Sequence, residues 1–249
     1  MNLEEFFLLH DKVALAFSGG VDSAYLLYEA VRHGVDIRPY YVKSQFQPQF
    51  ELDDSMRLCN ELGVELCILE LDVLSNPSIS SNCDKRCYFC KKEIMGAIKH
   101  KALQDGYDTI VDGSNASDLS SDRPGMLALD EEGVLSPLRL AGLDKAMIRE
   151  LSRRAGLFTW NKAAYACLAT RIPSGTELTE ELLERTEKAE DYLSRLGFKD
   201  FRVRCFHDAA RIQICASDFQ LFMDNKDLIY RDLSELYPYG VVLDLNWRG

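Results

Sequence analysis

Two hydrophobic periods take turns along the first half of the chain. Short apolar runs at residues 12–17, 36–42, 64–69 and 109–112 read as strands, and residues 22–33, 53–62 and 85–104 read as helices. Strand and helix alternating in this way predict a doubly wound α/β fold, a parallel sheet with helices on both faces. In such sheets ligands gather at the carboxyl ends of strands near the switch in strand order. The segments 18–23 and 112–115 both leave strands at such ends, so they are expected to share one ligand.

The alternation fades between residues 117 and 137 into Asp, Ser, Gly and Pro, which reads as a functional loop or a lid. A helical period returns at 143–155, with Gly156 as its stop, and an irregular stretch runs on to Gly175. Helix 177–196, strands 201–205 and 211–215, helix 217–236 and strand 241–245 then form a smaller α+β unit. Two domains are therefore expected, 1–165 and 166–249, with the boundary falling within residues 160–175. Neither an internal repeat nor a low-complexity tract interrupts them.

Composition narrows the function classes. With 249 residues, 47% of them hydrophobic, the chain can bury the cores of two domains. A formal charge of −11 opposes a broad nucleic-acid surface, which needs clustered Lys and Arg. Residues 1–7 are acidic where a secretion signal would be basic, and no apolar run reaches membrane-spanning length, so a cytoplasmic protein is expected. In that compartment the eight cysteines are expected as thiols, and Cys59 and Cys67 read as small buried hydrophobes.

Chemistry enters at Ser18-Gly19-Gly20-Val21-Asp22-Ser23, between the first strand and the first long helix. Glycines let backbone amides approach an anion, and a helix start adds unpaired N–H groups and a positive dipole end, so the loop is built for phosphate. Neither the Gly-Lys-Ser/Thr of a Walker loop nor Gly-x-Gly-x-x-Gly follows. The motif instead resembles the pyrophosphate loop of the ATP pyrophosphatase, or PP-loop, superfamily, whose fold is that of the adenine nucleotide alpha hydrolases. The resemblance implies that ATP is split between its α and β phosphates and that AMP is placed on a substrate oxygen. It implies ATP contacts from Ser18, Gly19, Gly20, Asp22, Ser23, Gly113 and Asn115, with magnesium at Asp22.

Later segments narrow the resemblance. Arg86-Cys87-Tyr88-Phe89-Cys90-Lys91, Asp112-Gly113-Ser114-Asn115, Asp122-Arg123-Pro124-Gly125, Ser136-Pro137-Leu138, Ala166-Cys167-Leu168-Ala169-Thr170-Arg171 and Arg202-Val203-Arg204 run in one order across most of the chain. Together they resemble the LarE-type sacrificial sulfur transferases, which build the organic part of a nickel-pincer cofactor. That resemblance implies adenylation of a ring carboxylate of a pyridinium mononucleotide and attack by a cysteine thiolate. Cleavage of the Cβ–S bond then leaves dehydroalanine on the protein. Cys167 matches the sulfur donor; on residue type alone the reading of a buried core cysteine beside Leu168 and Ala169 comes first, and the resemblance reverses that order. Arg202 and Arg204 alternate on one strand face, suited to a substrate phosphate or to ion pairs with the acidic helix that follows Gly175. Arg171, Glu190, Tyr88 and Lys91 complete the implied substrate contacts.

Cys83, Cys87 and Cys90 have the spacing of an iron–sulfur or metal ligand set, although here the motif opens a helix after the third strand. Asn161-Lys162-Ala163-Ala164 departs from the family's Asp-Lys-Pro-Ala. Rival readings are a superfamily synthetase with a nitrogen nucleophile, a cluster-dependent sulfur transferase, and a nucleotide sensor that cleaves nothing. The resemblance also implies a closed homo-oligomer, often a hexamer.

Overall fold

A computed structural model of the chain describes residues 1–118 and 124–248. The first elements are α1 (Leu3–Leu9), β1 (Lys12–Ala16), α2 (Val21–Arg32), β2 (Asp36–Lys43), α3 (Gln49–Leu62), β3 (Cys67–Glu70), α4 (Pro77–Ser80), α5 (Arg86–Gln104) and β4 (Ile110–Asp112). After them come α6 (Pro124–Glu131), α7 (Pro137–Leu140), α8 (Lys145–Arg154), α9 (Glu180–Arg195), β5 (Phe201–Phe206), β6 (Ala209–Ile214), α10 (Phe219–Leu236) and β7 (Val241–Leu243). They form two compact units, Met1–Val73 with Lys85–Lys162, and Leu74–Asp84 with Ala163–Gly249.

The first unit is built on a parallel sheet in the order β3-β2-β1-β4. Side chains alternate across a strand, and here both faces are apolar. Val13 and Leu15 of β1, Ile37 of β2 and Val111 of β4 pack with Leu26, Leu27, Leu58 and Ile148 of α2, α3 and α8. Ala14, Tyr40, Val42 and Ile110 turn the other way, onto Met95 and Ile98 of α5 and Met126 and Leu129 of α6. The sheet is therefore doubly wound, as the alternating pattern predicts.

Several boundaries differ from the pattern reading, among them the start of β3, at Cys67 rather than 64, and the end of β7, at Leu243 rather than 245. Residues 124–131, within the stretch read as a loop or lid, are helix α6, and its Met126 and Leu129 are buried in the core. Eight residues that begin Pro-Gly carry too little periodicity to declare themselves. Asp122 and Arg123 of the quoted motif lie outside the described residues. Helix α3 starts at Gln49 rather than near 53, its first turn preceded by Pro48 in extended conformation.

The second unit is a three-stranded sheet, order β5-β6-β7, with β5 and β6 antiparallel and β6 and β7 parallel. Helix α10 makes the crossover. Ala189 and Leu193 of α9, Val203 and Ile212 of the hairpin, and Ile229 and Leu233 of α10 form its core. Thr179 caps α9 by accepting from the Leu182 amide. Among the described residues, no helix is long and apolar enough to cross a membrane and no disulfide joins the cysteines.

The β5–β6 hairpin turns on two residues, His207 at φ 49° and Asp208 at φ 61°, the left-handed pair that matches the twist of the strands. Neither is glycine, so each carries a Cβ penalty of about 1 kcal/mol. The Asp208 contact with Arg185, 3.4 Å at a carboxylate 57% exposed, recovers little of it. Asp208→Gly is expected to raise unfolding free energy by about 0.5–1 kcal/mol, read from the midpoint of urea denaturation.

Candidate active site

The glycine loop of residues 18–23 leaves β1 beside the segment that leaves β4, because Ala16 pairs with Asp112 in register. Gly20 is the N-cap of α2 and has no side-chain cap, which leaves the first amides of that helix directed at the loop. Gly19 takes φ +68°, and a Cβ there would lie 2.3 Å from Ser55 Oγ. Only glycine makes that turn in that space. Ser23, buried, has its Oγ 3.2 Å from Ser18 Oγ and donates to the Gly20 carbonyl at 3.2 Å.

The second loop comes close enough to touch the first by its backbone. A Cβ on Gly113 would stand 2.8 Å from the Ser23 amide nitrogen and 3.0 Å from its Cα. Asp112, buried, holds this loop by accepting from Ser114 Oγ and Ser136 Oγ at 2.5 and 2.7 Å. Asn115 accepts from the Ser117 amide and donates its Nδ2 to Asp22 at 3.3 Å. Ser18, Gly19, Gly20, Asp22, Ser23, Gly113 and Asn115 thus gather at one end of β1 and β4.

Two lysines join them. Lys145, the first residue of α8, donates to Asp22 at 2.5 Å. Lys162 donates to the Gly19 carbonyl at 3.3 Å and pairs with Asp54 at 2.7 Å. A helix that precedes a parallel strand runs opposite to it, so α5 also begins at this end of the sheet. Tyr88, on its first turn, donates to Glu131 of α6 at 2.7 Å, and Lys92 reaches the same carboxylate at 3.2 Å; Lys91 is half-buried.

In the second unit, Cys167 precedes a single 3-10 turn and is half-buried. Three arginines hold its segment by backbone carbonyls: Arg171 donates to Ala166 at 2.8 Å, Arg204 to Thr170 at 2.9 Å, and Arg202 to Ala164. Arg171 and Glu190, both buried, form a bidentate pair at 2.8 and 3.0 Å. Glu190 also accepts from the Tyr165 hydroxyl and the Val203 amide. The Tyr165 ring lies 4.5 Å from the Arg171 guanidinium and 5.1 Å from that of Arg202.

Glu190 thus stands among three guanidiniums, with Asp200 3.7 Å from Arg202 at their edge. Burial, then the like charges of Arg171 and Arg248, pull Arg202 down to about 10, and burial with Arg171 and Arg211 pulls Arg204 down. Arg171 itself is pushed down by burial but raised overall by Glu190, and Cys167 is among the groups that act on it. Surplus buried positive charge is the electrostatic condition for an anionic ligand. Arg202 and Arg204 do project from one strand face, yet Arg202 spends donors on protein carbonyls, and Glu190 is turned inward to Arg171.

The family described as thiamine biosynthesis protein (ThiI) matches residues 9–193. A pyridinium-3,5-bisthiocarboxylic acid mononucleotide synthase of Lactiplantibacillus plantarum is 34% identical over 94% of this chain and 86% of its own length. An uncharacterised protein of Synechocystis is 36% identical over 91% of this chain and 85% of its own length. A tRNA-specific 2-thiouridylase of Pseudothermotoga lettingae is 27% identical over 67% of this chain and 58% of its own length. The chain belongs to the LarE type of the ThiI/PP-loop family.

Pattern reading of this LarE-type protein overlooks Lys145 and Tyr165. Lys145 lies 123 positions from its partner Asp22, and nothing local marks a lysine at a helix start as paired across that distance. The magnesium expected at Asp22 fits the donor chemistry there, a partly exposed carboxylate beside a phosphate loop. Among the described residues no three His, Cys, Asp or Glu side chains are placed to hold a metal ion, so a magnesium ion at Asp22 would draw its remaining ligands from phosphate oxygens and water.

Two substitutions test these assemblies. Gly113→Ala forces the two loops apart by backbone rather than by a flexible side chain, so nucleotide affinity measured by calorimetry is expected to fall at least tenfold, with a stability cost of about 1–3 kcal/mol. Glu190→Ala leaves Arg171 buried without its counterion and is expected to cost about 3–5 kcal/mol in chemical denaturation.

Proposed function

We propose that the chain is an ATP-dependent sulfur transferase that adenylates a carboxylate of a pyridinium mononucleotide and donates cysteine sulfur to it. The observation that carries this reading is the backbone contact of Gly113 with Ser23, which joins the glycine loop and the Asp112 loop into one nucleotide cradle. The substrate class follows that of the Lactiplantibacillus relative, a pyridinium-3,5-bisthiocarboxylic acid mononucleotide synthase.

In this mechanism the α2 amides, Ser18 and Ser23 hold the departing pyrophosphate. Magnesium, when bound through Asp22 and phosphate oxygens, neutralises charge on them. Lys145, paired with Asp22 at 2.5 Å, would be able to turn to a phosphate oxygen where magnesium takes up that carboxylate. The substrate carboxylate attacks the α phosphorus and pyrophosphate leaves. The Cys167 thiolate then attacks the acyl carbon and expels AMP, forming a thioester. Loss of the cysteine α proton and breakage of Cβ–S release the thiocarboxylate and leave dehydroalanine at 167, so atoms and charge balance. Arg171 donates to the Cys167 carbonyl at 3.4 Å and so brings positive charge beside that residue. Arg202 and Arg204 bind the substrate phosphate with the donors that the backbone does not occupy, and the Arg171–Glu190 pair fixes the segment. The reading assigns ATP chemistry to residues 1–165 and substrate binding to 166–249, in a cytoplasmic homo-oligomer.

Intact mass spectrometry before and after incubation with ATP, magnesium and the carboxylated mononucleotide tests it. Wild type is expected to lose one H₂S equivalent, mapped to Cys167. Cys167→Ser is expected to release pyrophosphate and yield no thiocarboxylate. Product formed while the Cys167 thiol stays intact would refute sulfur sacrifice.

A further inference from the structure

Outside this chemistry, the first two turns of α5 carry a pair of thiols. Cys87 is exposed and Cys90 half-buried, three positions apart on one helix face. A rise of about 1.5 Å and a turn of about 100° per residue put their Cα atoms about 5 Å apart. That lies inside the roughly 4.4–6.8 Å between the Cα atoms of a disulfide. Closing the bridge requires the start of the helix to tighten until the Cβ atoms, about 5–6 Å apart on a regular helix, come within about 4.5 Å. Arg86, the residue before, donates to Cys87 Sγ at 3.5 Å, so negative charge developing on that sulfur meets a guanidinium. The helix start adds its dipole, and Lys85 brings no side-chain cap to neutralise it.

Other cysteines lack this setting. Cys59 is buried on α3 and burial alone pushes its thiol up to about 12. Burial, foremost, also raises Cys67 and Cys215, and the Cys215 thiol is engaged with the Asp200 carbonyl at 3.4 Å. Cys205 is buried in the second unit.

We propose that Cys87 and Cys90 form a thiol–disulfide exchange site for low-molecular-weight disulfides, with Cys87 as the attacking and Cys90 as the resolving thiol. In the first step the Cys87 thiolate attacks one sulfur of the disulfide, forming a mixed disulfide and releasing one small thiol. Cys90 then gives up its proton and attacks Cys87 Sγ, closing the Cys87–Cys90 bond and releasing the second thiol. The protein pair loses two electrons and two protons, and the small disulfide gains both. The reverse sequence, driven by excess small thiol, restores the dithiol. Tyr88 lies inside the closed loop and is hydrogen-bonded to Glu131, so the state of the bridge sets the geometry of the α5–α6 contact.

Full-length protein, reduced and freed of reductant, is exposed to oxidised glutathione, quenched in acid, alkylated and mapped by peptide mass spectrometry. Loss of two alkylatable thiols, recovered as one Cys87–Cys90 bridge and reversed by reduced glutathione, is expected. In Cys90→Ser, glutathione stays attached at Cys87. In Cys87→Ser, modification of Cys90 is expected to be at least tenfold slower than that of Cys87 in wild type. Circular dichroism of each variant reports whether it folds, and the wild-type map stands without them. Two thiols at 87 and 90 that remain alkylatable would overturn the proposal. So would a bridge from either to Cys83, or glutathione on Cys83 in place of Cys87. Because no ATP or mononucleotide is present, these outcomes are independent of the sulfur-donor role of Cys167.

Discussion

The parallel pairing of β1 with β4 is the constraint on which the meeting of the two glycine loops depends. Register alone sets Ala16 beside Asp112, and the chain leaves both strands on the same side of the sheet. The two loops that emerge there must then share one small space. Gly113 meets the Ser23 backbone at a distance no Cβ tolerates, and Gly19 turns with positive φ against Ser55. The glycines of the two loops thus serve different ends, one allowing a backbone conformation and the other an approach between backbones. Asp112, buried and satisfied by two serines, supports this contact from beneath rather than facing the ligand space.

The second unit uses charge where the first uses backbone proximity. Arg171, Arg202 and Arg204 each tie a different carbonyl of the segment around Cys167, and one carboxylate, Glu190, sits in their midst. An irregular stretch has no ladder to satisfy its carbonyls, so guanidiniums take the place that a neighbouring strand would fill. Their charge is an unavoidable by-product of that support, and it makes the same residues suited to hold an anion.

Much of this was legible in the residues because the signals were local. The apolar run, glycine turn and helix start of residues 12–33 announce a strand, a tight turn and a helix without reference to anything else in the chain. The strand alternation of Arg202 and Arg204 likewise needs only the pleat. The pairing of Lys145 with Asp22 was not legible, since it depends on where α8 packs against α2 after the sheet has formed. Nor was the inward turn of Glu190, because an acidic residue on an amphipathic helix looks solvated until a buried arginine is found opposite it. Helix α6 escaped for a different reason: it is short, opens with Pro-Gly, and is defined by packing of Met126 and Leu129 rather than by its own period.

The stretch Leu74–Asp84 belongs to the second unit although it lies between two parts of the first. Ile79 is wholly buried, Asn82 takes φ 53° and donates its amide to the Pro173 carbonyl at 2.8 Å, and Ser80 and Asn82 accept from the Leu178 and Gly175 amides. These partners are translated some ninety positions later. A nascent chain therefore carries a stretch that stays unpartnered until the second unit emerges from the ribosome, and maturation of that unit cannot be strictly vectorial. A gene cut at the boundary near residue 162 would strand Ile79 in water, so the two units are separable in architecture but not by simple truncation.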